Sequence, residues 1–350
     1  MHFKRGLRTV RTLLTGRRAA DSPLDEKEHI FRHIWHRLAH AFERGQLHRG
    51  HPNALVLQMG KVASTSIQSA LLAREINAFH SHGLSSLFQH GRLSLLLDTG
   101  LTFRLAAHDL RRHIQSVALY LMIRWYQQHK QYKRRKLKVI TLTRDPATHY
   151  PSGFLHRRDT ALPAIIDWHR ARGSAGAPDT AEPMQVLTDF LMELTSIVVE
   201  GRASEGAVAV ERCLALARKR WPDHPVVASE LGACLVPLTW FDSEITAMFG
   251  IDMLAAPGLR ERGWAEQSND WVEIIVVKFE ELPSLVPEIA RFFALAELAL
   301  PRENETSSKA GAAEIAGAWR SVMETPVGQA CARELRRSPY GRACGYDRLA

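Results

Sequence analysis

Long apolar runs, paired cysteines and internal repeats are all absent from this sequence of 350 residues. Its four cysteines include no C-x-x-C pair, which argues against a small disulfide-stapled fold and favours a reducing compartment. No stretch approaches the roughly 18 consecutive apolar residues of a membrane-spanning helix. Apolar residues make up 45% and charged residues 24% of the chain, as is usual for a globular protein. These features predict a folded cytoplasmic protein without a transmembrane segment.

Acidic residues are the scarcer charged class, with 37 Asp and Glu against 46 Lys and Arg, and the net charge is +9. A basic surface attracts nucleotides, lipid headgroups, nucleic acids and acidic polysaccharides without choosing among them. No motif of interleaved aromatic and basic residues indicates nucleic-acid binding, so nucleic acid is not an expected partner. Residues 1–20 carry six basic residues and no acid. This segment could be a basic tail, a peripheral contact with an anionic membrane or a transit-like leader.

Short apolar runs alternate with helical patterns along most of the chain, which predicts an α/β protein. Strands are expected at 54–58, 77–81, 137–143 and 274–278, and helices at 66–76, 109–134, 184–200, 207–220 and 288–300. This alternation is typical of a mainly parallel sheet with helices on both faces. Residues 1–50 are predicted to form a basic N-terminal tail and a helix. Residues 51–350 are predicted to form a single α/β domain, because no linker-like composition divides them.

The segment from Gly60 to Ser66 joins the first predicted strand to the first predicted helix and has the composition of a phosphate-binding loop. Backbone N–H groups at the start of a helix bind anions, and Lys61 and the hydroxyl groups after it would add charge and donors. The hydroxyl-bearing residues are Ser64, Thr65 and Ser66. The segment is not a Walker A loop, because Gly-Lys comes first and no second glycine follows. The alternative interpretation is a Ser/Thr-capped helix with a surface lysine.

Arg144, Asp145 and Pro146 directly follow the clearest predicted strand, and Ser152 lies eight residues after Arg144. Ligands of open α/β sheets bind beyond the carboxyl ends of the strands. An arginine at such a strand end can hold a phosphate through two hydrogen bonds, and a serine in the following helix can donate another. The alternative is an Arg-Asp pair that only terminates the strand.

His80 and His82 are separated by one residue in the second predicted strand, so both imidazoles would project from one face. The pair could supply two zinc ligands, although no second metal-like cluster provides the others. It could instead be a general base with a supporting histidine. Both rings could also be solvated, since the chain has 17 histidines.

In their order along the chain, these motifs resemble those of hexuronyl 2-O-sulfotransferases. The loop 61–66, Lys-Val-Ala-Ser-Thr-Ser, is similar to their Lys-Thr-Ala-Ser-Thr-Ser loop. Phe79-His80-Ser81-His82 is similar to their aromatic-His-x-His strand. Residues 139–146 together with Ser152 are similar to the sulfotransferase element that holds the 3′-phosphate of the donor. Segments 240–252 and 274–280 resemble bacterial proteins of capsular-polysaccharide synthesis, which look like a branch of the sulfotransferase superfamily.

The resemblance implies a P-loop-like three-layer fold and a donor, 3′-phosphoadenosine 5′-phosphosulfate, whose sulfuryl group passes to a hydroxyl without a metal ion. Arg144 and Ser152 match the element that binds the 3′-phosphate of this donor. The loop that binds its 5′-phosphosulfate corresponds to Lys61, Ala63, Ser64, Thr65 and Ser66.

The resemblance also implies the catalytic residues. His82 matches the second histidine of the family motif and would be the base, with His80 orienting the acceptor or tuning its partner. Lys61 would stabilise the leaving oxygen. The implied acceptor is an acidic or neutral glycan, such as a capsular polysaccharide.

Three features depart from the family pattern. Val62 stands where threonine is usual, and the polar segment 304–309 matches only weakly a late loop over the cofactor. Pro151 directly precedes Ser152, so either the helix starts at Pro151 or Ser152 is misaimed. The competing hypotheses are an ATP-using P-loop kinase or nucleotide-binding protein, and a catalytically inactive basic adaptor.

Overall fold

The computed structural model describes residues 36, 53–60, 62–85, 107–128, 135–172, 183–301 and 311–350. The predictions for Lys61 and for the polar segment 304–309 fall outside these residues. The predicted N-terminal tail and helix are described only at His36, which is helical. Within the described ranges, no helix combines the length and apolar character needed to cross a membrane.

In the part of the chain that the structure describes, five strands form one sheet with helices on both faces, which confirms the predicted α/β class. They are β1 (Ala54–Leu57), β2 (Ala78–Ser81), β3 (Leu137–Thr143), β4 (Trp264–Ser268) and β5 (Val272–Lys278). The order across the sheet is β2-β1-β3-β5-β4, and only β4 runs antiparallel to its neighbour. The sequence analysis missed β4 because this edge strand, Trp-Ala-Glu-Gln-Ser, has no apolar run.

The helices that the structure describes mostly lie where the helical patterns are. They are α1 (Ser64–Ala73), α2 (Ala107–Gln128), α3 (Pro146–Arg172), α4 (Pro183–Glu200), α5 (Ala207–Arg220), α6 (Pro225–Leu235), α7 (Pro237–Trp240), α8 (Ala247–Phe249), α9 (Leu259–Arg262), α10 (Leu282–Phe292), α11 (Ala312–Glu324), α12 (Pro326–Arg336) and α13 (Pro339–Ala343). The π-helical segment Phe241–Thr246 joins α7 to α8. The prediction of a helix over 288–300 was wrong in its bounds. Helix α10 starts six residues earlier, with Pro283 in its first turn, and the chain turns at Ala294, whose φ is 56°.

The sheet is buried on both faces because successive side chains of a strand point to opposite sides. On one face, Leu55, Leu57 and Val139 pack in a large cluster with α2, α3 and α4. On the other face, Val56 and Ile140 pack with α1 and α10 in a second cluster. The arrangement is therefore helix layer, sheet and helix layer, and the carboxyl ends of β1, β2, β3 and β5 meet at one edge.

Helix α3 begins at Pro146 and continues through Pro151. The alternative that a helix starts at Pro151 was therefore wrong. A proline inside a helix cannot bond the carbonyl four residues before it, here that of Ala147. The indole Nε1–H of Trp319, on α11, donates to that carbonyl at 3.0 Å. A side chain more than 160 residues away thus replaces the missing backbone hydrogen bond, and the helix tolerates the proline.

We predict a thermodynamic coupling between Trp319 and Pro151. Trp319→Phe should lower the free energy of unfolding by about 1–3 kcal/mol, because it leaves the buried Ala147 carbonyl without a donor. In a Pro151→Ala background the same change should cost less, since the new N–H at position 151 can bond that carbonyl. Urea unfolding of the four proteins measures the coupling, and an equal cost of Trp319→Phe in both backgrounds would contradict it.

Candidate functional site

The three motifs singled out in the sequence meet at one edge of the sheet. Strand β1 lies between β2 and β3 and is parallel to both, with Val56 paired to His80 on one side and to Ile140 on the other. The segments that leave these three strands therefore emerge side by side. This is the edge at which open α/β sheets bind their ligands.

The junction between β1 and α1 presents unpaired backbone donors. The first hydrogen bond of α1 runs from the Ile67 N–H to the Ala63 carbonyl, so the N–H groups of residues 64–66 precede it. Ala63 is the N-cap residue, in the left-handed region with a φ of 60°, and no side chain caps the helix. The hypothesis of a Ser/Thr cap was therefore wrong. Ser64, Thr65 and Ser66 occupy the first turn of α1 rather than the loop before it. The N–H groups in the first turn of a helix, together with the helix dipole, favour the binding of an anion.

Gly60 and Val62 shape the loop between β1 and α1. Gly60 has a φ of 94°, a backbone conformation that residues with a Cβ rarely adopt. Val62, which stands in place of the family's threonine, is fully buried and packs with the β1–α1 core cluster. Its side chain therefore stabilises the loop. Lys61 lies between these two residues but outside the described ranges.

His80 and His82 lie against each other at the end of β2. Their ring centroids are 4.6 Å apart and the rings are nearly perpendicular. Both side chains are half-buried, which contradicts the interpretation of two solvated rings. The Nδ1 atom of His82 lies 3.2 Å from the Gln58 carbonyl oxygen. Because a carbonyl only accepts hydrogen bonds, this contact assigns the proton to Nδ1 and the lone pair of a neutral ring to Nε2.

The π-helical segment and α7 hold the backbone after His82. The Trp240 Nε1–H donates to the His82 carbonyl at 3.0 Å. The buried Glu244 carboxylate accepts from the N–H groups of Leu84 and Ser85 at 2.5 and 2.7 Å, and from the Ser85 hydroxyl at 2.7 Å. π-Helical turns often occur at functional sites. Glu244 thus fixes the turn that places the His82 ring.

Arg144 and Ser152 are in direct contact, so Ser152 is not misaimed by the proline before it. The Arg144 Nη1 donates to the Ser152 Oγ at 3.2 Å, and the guanidinium lies over the Phe279 ring at 4.8 Å. Burial lowers the pKa of the Arg144 guanidinium, although the carboxylates of Glu280 and Asp145 oppose this shift. A cation held at the end of a strand and partly removed from water is a strong site for a phosphate.

Residues near the end of the chain fix the backbone of Arg144, and the sequence analysis did not find them. The Tyr340 hydroxyl accepts from the Arg144 N–H at 2.9 Å and donates to the Arg144 carbonyl at 2.8 Å. Burial raises the pKa of Tyr340 well above its usual range, so the hydroxyl keeps its proton. No local sequence signal marks Tyr340, because its partner lies 196 residues earlier.

Asp145 joins the same network through both its side chain and its backbone. Its carboxylate accepts hydrogen bonds from two nitrogens of the Arg336 guanidinium, from Nη2 at 2.7 Å and from Nε at 3.2 Å. Its N–H donates to Glu280 at 2.8 Å, and Glu280 in turn accepts from the Tyr346 hydroxyl at 2.8 Å. Helices α12 and α13 and the last residues therefore determine the geometry of the β3–α3 junction.

His149 is a further histidine at this edge that the sequence analysis missed. It lies in the first turn of α3, is 5% exposed, and its Nε2 is 3.3 Å from the Gly60 carbonyl oxygen. It therefore connects the β3–α3 junction to the β1–α1 loop. In the sequence, His149 is marked only by its position four residues after Asp145, which places it in the helical turn that follows β3.

Gln58, the residue after β1, is fully buried, and neither its amide oxygen nor its amide nitrogen has a hydrogen-bond partner in the described structure. A buried amide without partners destabilises a protein, because it has lost its hydrogen bonds to water.

The residues that the structure describes contain no group of three or more His, Cys, Asp or Glu side chains that could hold a metal ion. The zinc interpretation of the two histidines therefore has no support.

A cavity of about 600 Å³ opens beside Arg144, between α3, α11 and α12. It is lined by Arg144, Ala147, Thr148, Pro151, Ser152, Leu155, Ala312, Ile315, Ala316, Trp319, Arg320, Met323, Gln329, Ala332, Arg333, Arg336, Leu349 and Ala350. Its size is that of a small-molecule site.

A comparison of this chain with protein-family models, curated proteins and solved structures found no match.

Proposed function

We propose that this protein is a sulfotransferase that moves a sulfuryl group from 3′-phosphoadenosine 5′-phosphosulfate to a hydroxyl of a glycan. One observation carries the proposal. Two strand-to-helix junctions that carry donors suited to anions, β1–α1 and β3–α3, lie on adjacent parallel strands, and a pair of histidines ends the strand on the other side of β1. A donor with phosphates at both ends of its nucleoside matches two neighbouring anion sites. The strand–loop–helix geometry at β1 and the three layers also support a P-loop-like fold.

In the proposed reaction, the N–H groups of residues 64–66 and the charge of Lys61 hold the 5′-phosphosulfate, while Arg144 and Ser152 hold the 3′-phosphate. The acceptor oxygen attacks sulfur in line, and the new O–S bond forms as the bond between sulfur and the 5′-phosphate oxygen breaks. The hydroxyl proton passes to Nε2 of His82. The electron pair of the broken bond leaves with adenosine 3′,5′-bisphosphate, and Lys61 stabilises that developing charge.

The acceptor side of the site lies towards β2, because His80 and His82 end that strand. An acidic glycan fits the basic character of the chain, whose net charge is +9, and a neutral glycan is the alternative acceptor. The basic segment 1–20 would add a peripheral contact with an anionic membrane.

A thermal-shift experiment separates this proposal from an ATP-using kinase. Adenosine 3′,5′-bisphosphate should raise the melting temperature, because a ligand that binds only the folded state stabilises it by about 2.7 kcal/mol at one hundred times its dissociation constant. ATP with magnesium should raise it less at the same concentration. The reverse order would favour the kinase hypothesis, and no shift with either nucleotide would favour the inactive adaptor.

We predict that Arg144→Gln weakens the binding of adenosine 3′,5′-bisphosphate by about 1.5–3 kcal/mol, the range for hydrogen bonds to charged groups. Isothermal titration calorimetry measures the loss, and circular dichroism checks that the variant is folded. Arg212→Gln is the matched control, because Arg212 lies on α5, is paired with Glu205 and does not line the cavity beside Arg144. Unchanged affinity in a folded Arg144→Gln protein would remove Arg144 from the proposed site.

A further inference from the structure

The cavity beside Arg144 is strongly cationic. Four of its lining residues are arginines, namely Arg144, Arg320, Arg333 and Arg336, and none of its lining side chains is acidic. Helices α11 and α12, which provide three of these arginines, pack against α3 and α4. The last part of the chain, to which the family resemblance does not extend, therefore builds one wall of a cavity that begins at the predicted 3′-phosphate contact.

Two of the four arginine side chains have partners within the described structure, and two do not. Arg336 is bound to Asp145, and Arg144 donates to Ser152. The side chains of Arg320 and Arg333 are exposed and have no hydrogen bond or ion pair with any part of the chain that the structure describes. Two cations at the rim of one cavity repel each other unless an anion lies between them.

The floor of the same cavity is apolar. Leu155, Ile315, Trp319 and Met323 line it beside Ala147. An apolar floor with a rim of guanidinium groups fits a ligand that joins a flat ring system to a phosphate or sulfate. Arginine suits this role because its planar fork bonds two oxygens of one phosphate. A nucleoside that carries a 3′-phosphate has this combination, whereas inorganic phosphate would use only the rim.

We propose that Arg320 and Arg333 bind the 3′-phosphate of the donor nucleotide together with Arg144, and that this cavity gives the protein its selectivity for nucleotides with two separate phosphate positions. The inference rests on the proposed function and extends it to residues that no motif identifies. A nucleotide without the 3′-phosphate leaves these arginines uncompensated. It therefore gains nothing from them.

The test is a calorimetric comparison of adenosine 3′,5′-bisphosphate and adenosine 5′-monophosphate on the full chain. Arg320→Gln and Arg333→Gln should each weaken bisphosphate binding about tenfold, and the double variant about one hundredfold, as expected for hydrogen bonds to a charged group. The affinity for the monophosphate should not change. Arg337→Gln is the matched control, since Arg337 is an exposed arginine that follows α12 and does not line the cavity.

Three outcomes would overturn the inference in distinguishable ways. If the wild-type protein prefers the bisphosphate and the double variant keeps that preference, the two arginines do not bind the 3′-phosphate, and the proposed function stands. If the wild-type protein does not distinguish the two nucleotides, the inference and the proposed function both fail. An equal loss for both nucleotides in the double variant would indicate general attraction of anions and would also overturn it.

Discussion

Replacing His82 with alanine should lower kcat for sulfuryl transfer by about 10²–10⁴, the usual contribution of a general base, and leave adenosine 3′,5′-bisphosphate binding unchanged. The structure gives the reason. The contact between Nδ1 and the Gln58 carbonyl assigns the lone pair to Nε2, and Glu244 and Trp240 hold the backbone that carries the ring. A base in a fixed orientation and tautomer is ready to accept a proton.

His80→Ala is the matched control for this prediction. His80 lies 4.6 Å from His82, centroid to centroid, so its removal disturbs the same surroundings without removing the proposed base. We expect a milder loss of kcat, because two imidazoles this close disfavour simultaneous protonation and His80 only helps to keep His82 neutral. A larger effect at His80 than at His82 would reverse the two assignments. Full activity in His82→Ala would remove the base from this strand end.

Replacing Lys61 with alanine should lower kcat by about 10²–10³ with a smaller change in donor affinity, as for the loss of one group that stabilises charge in the transition state. In the sequence, Lys61 stands between Gly60 and the buried Val62, three residues before Ser64, where α1 starts without a side-chain cap. In the proposed site, the backbone N–H groups of residues 64–66 would hold the phosphate in the ground state. The lysine charge is then needed mainly for the oxygen that leaves sulfur.

Steady-state and single-turnover kinetics with binding by calorimetry separate these two roles of Lys61. Lys61→Arg should keep part of the activity because it keeps the charge, and Lys219→Ala, on the exposed surface of α5, should be neutral. A loss of affinity with kcat intact would mean that Lys61 only anchors the phosphate.

The sequence was a good guide where local chemistry decides the structure. Strand β3 has the predicted bounds because charged residues flank a run of β-branched ones. Helix α1 starts two residues before the predicted position, because Ala63 adopts a left-handed conformation that no propensity indicates. That shift bears on the proposed site, since it adds two hydroxyl residues, Ser64 and Thr65, to the first turn of the helix.

The rest of the site depends on contacts between distant parts of the chain, which periodicity and motifs do not report. Pro151 looks harmful to α3 in the sequence, and its compensation by Trp319 appears only in the packed structure. The same is true of Tyr340 on the Arg144 backbone and of Arg336 on Asp145. Each of these partners belongs to the last helices, for which the motifs predicted no role.

The most direct test of the account is incubation of the full chain with isotope-labelled 3′-phosphoadenosine 5′-phosphosulfate and a panel of acidic and neutral polysaccharides, followed by mass spectrometry of the glycans. We expect labelled sulfate on at least one glycan with the wild-type chain, and at least about a hundredfold less with His82→Ala. Sulfate transfer that persists in both His82→Ala and Lys61→Ala would contradict the assigned site. No transfer to any glycan, in a protein that binds ATP with magnesium more tightly than adenosine 3′,5′-bisphosphate, would contradict the proposed function itself.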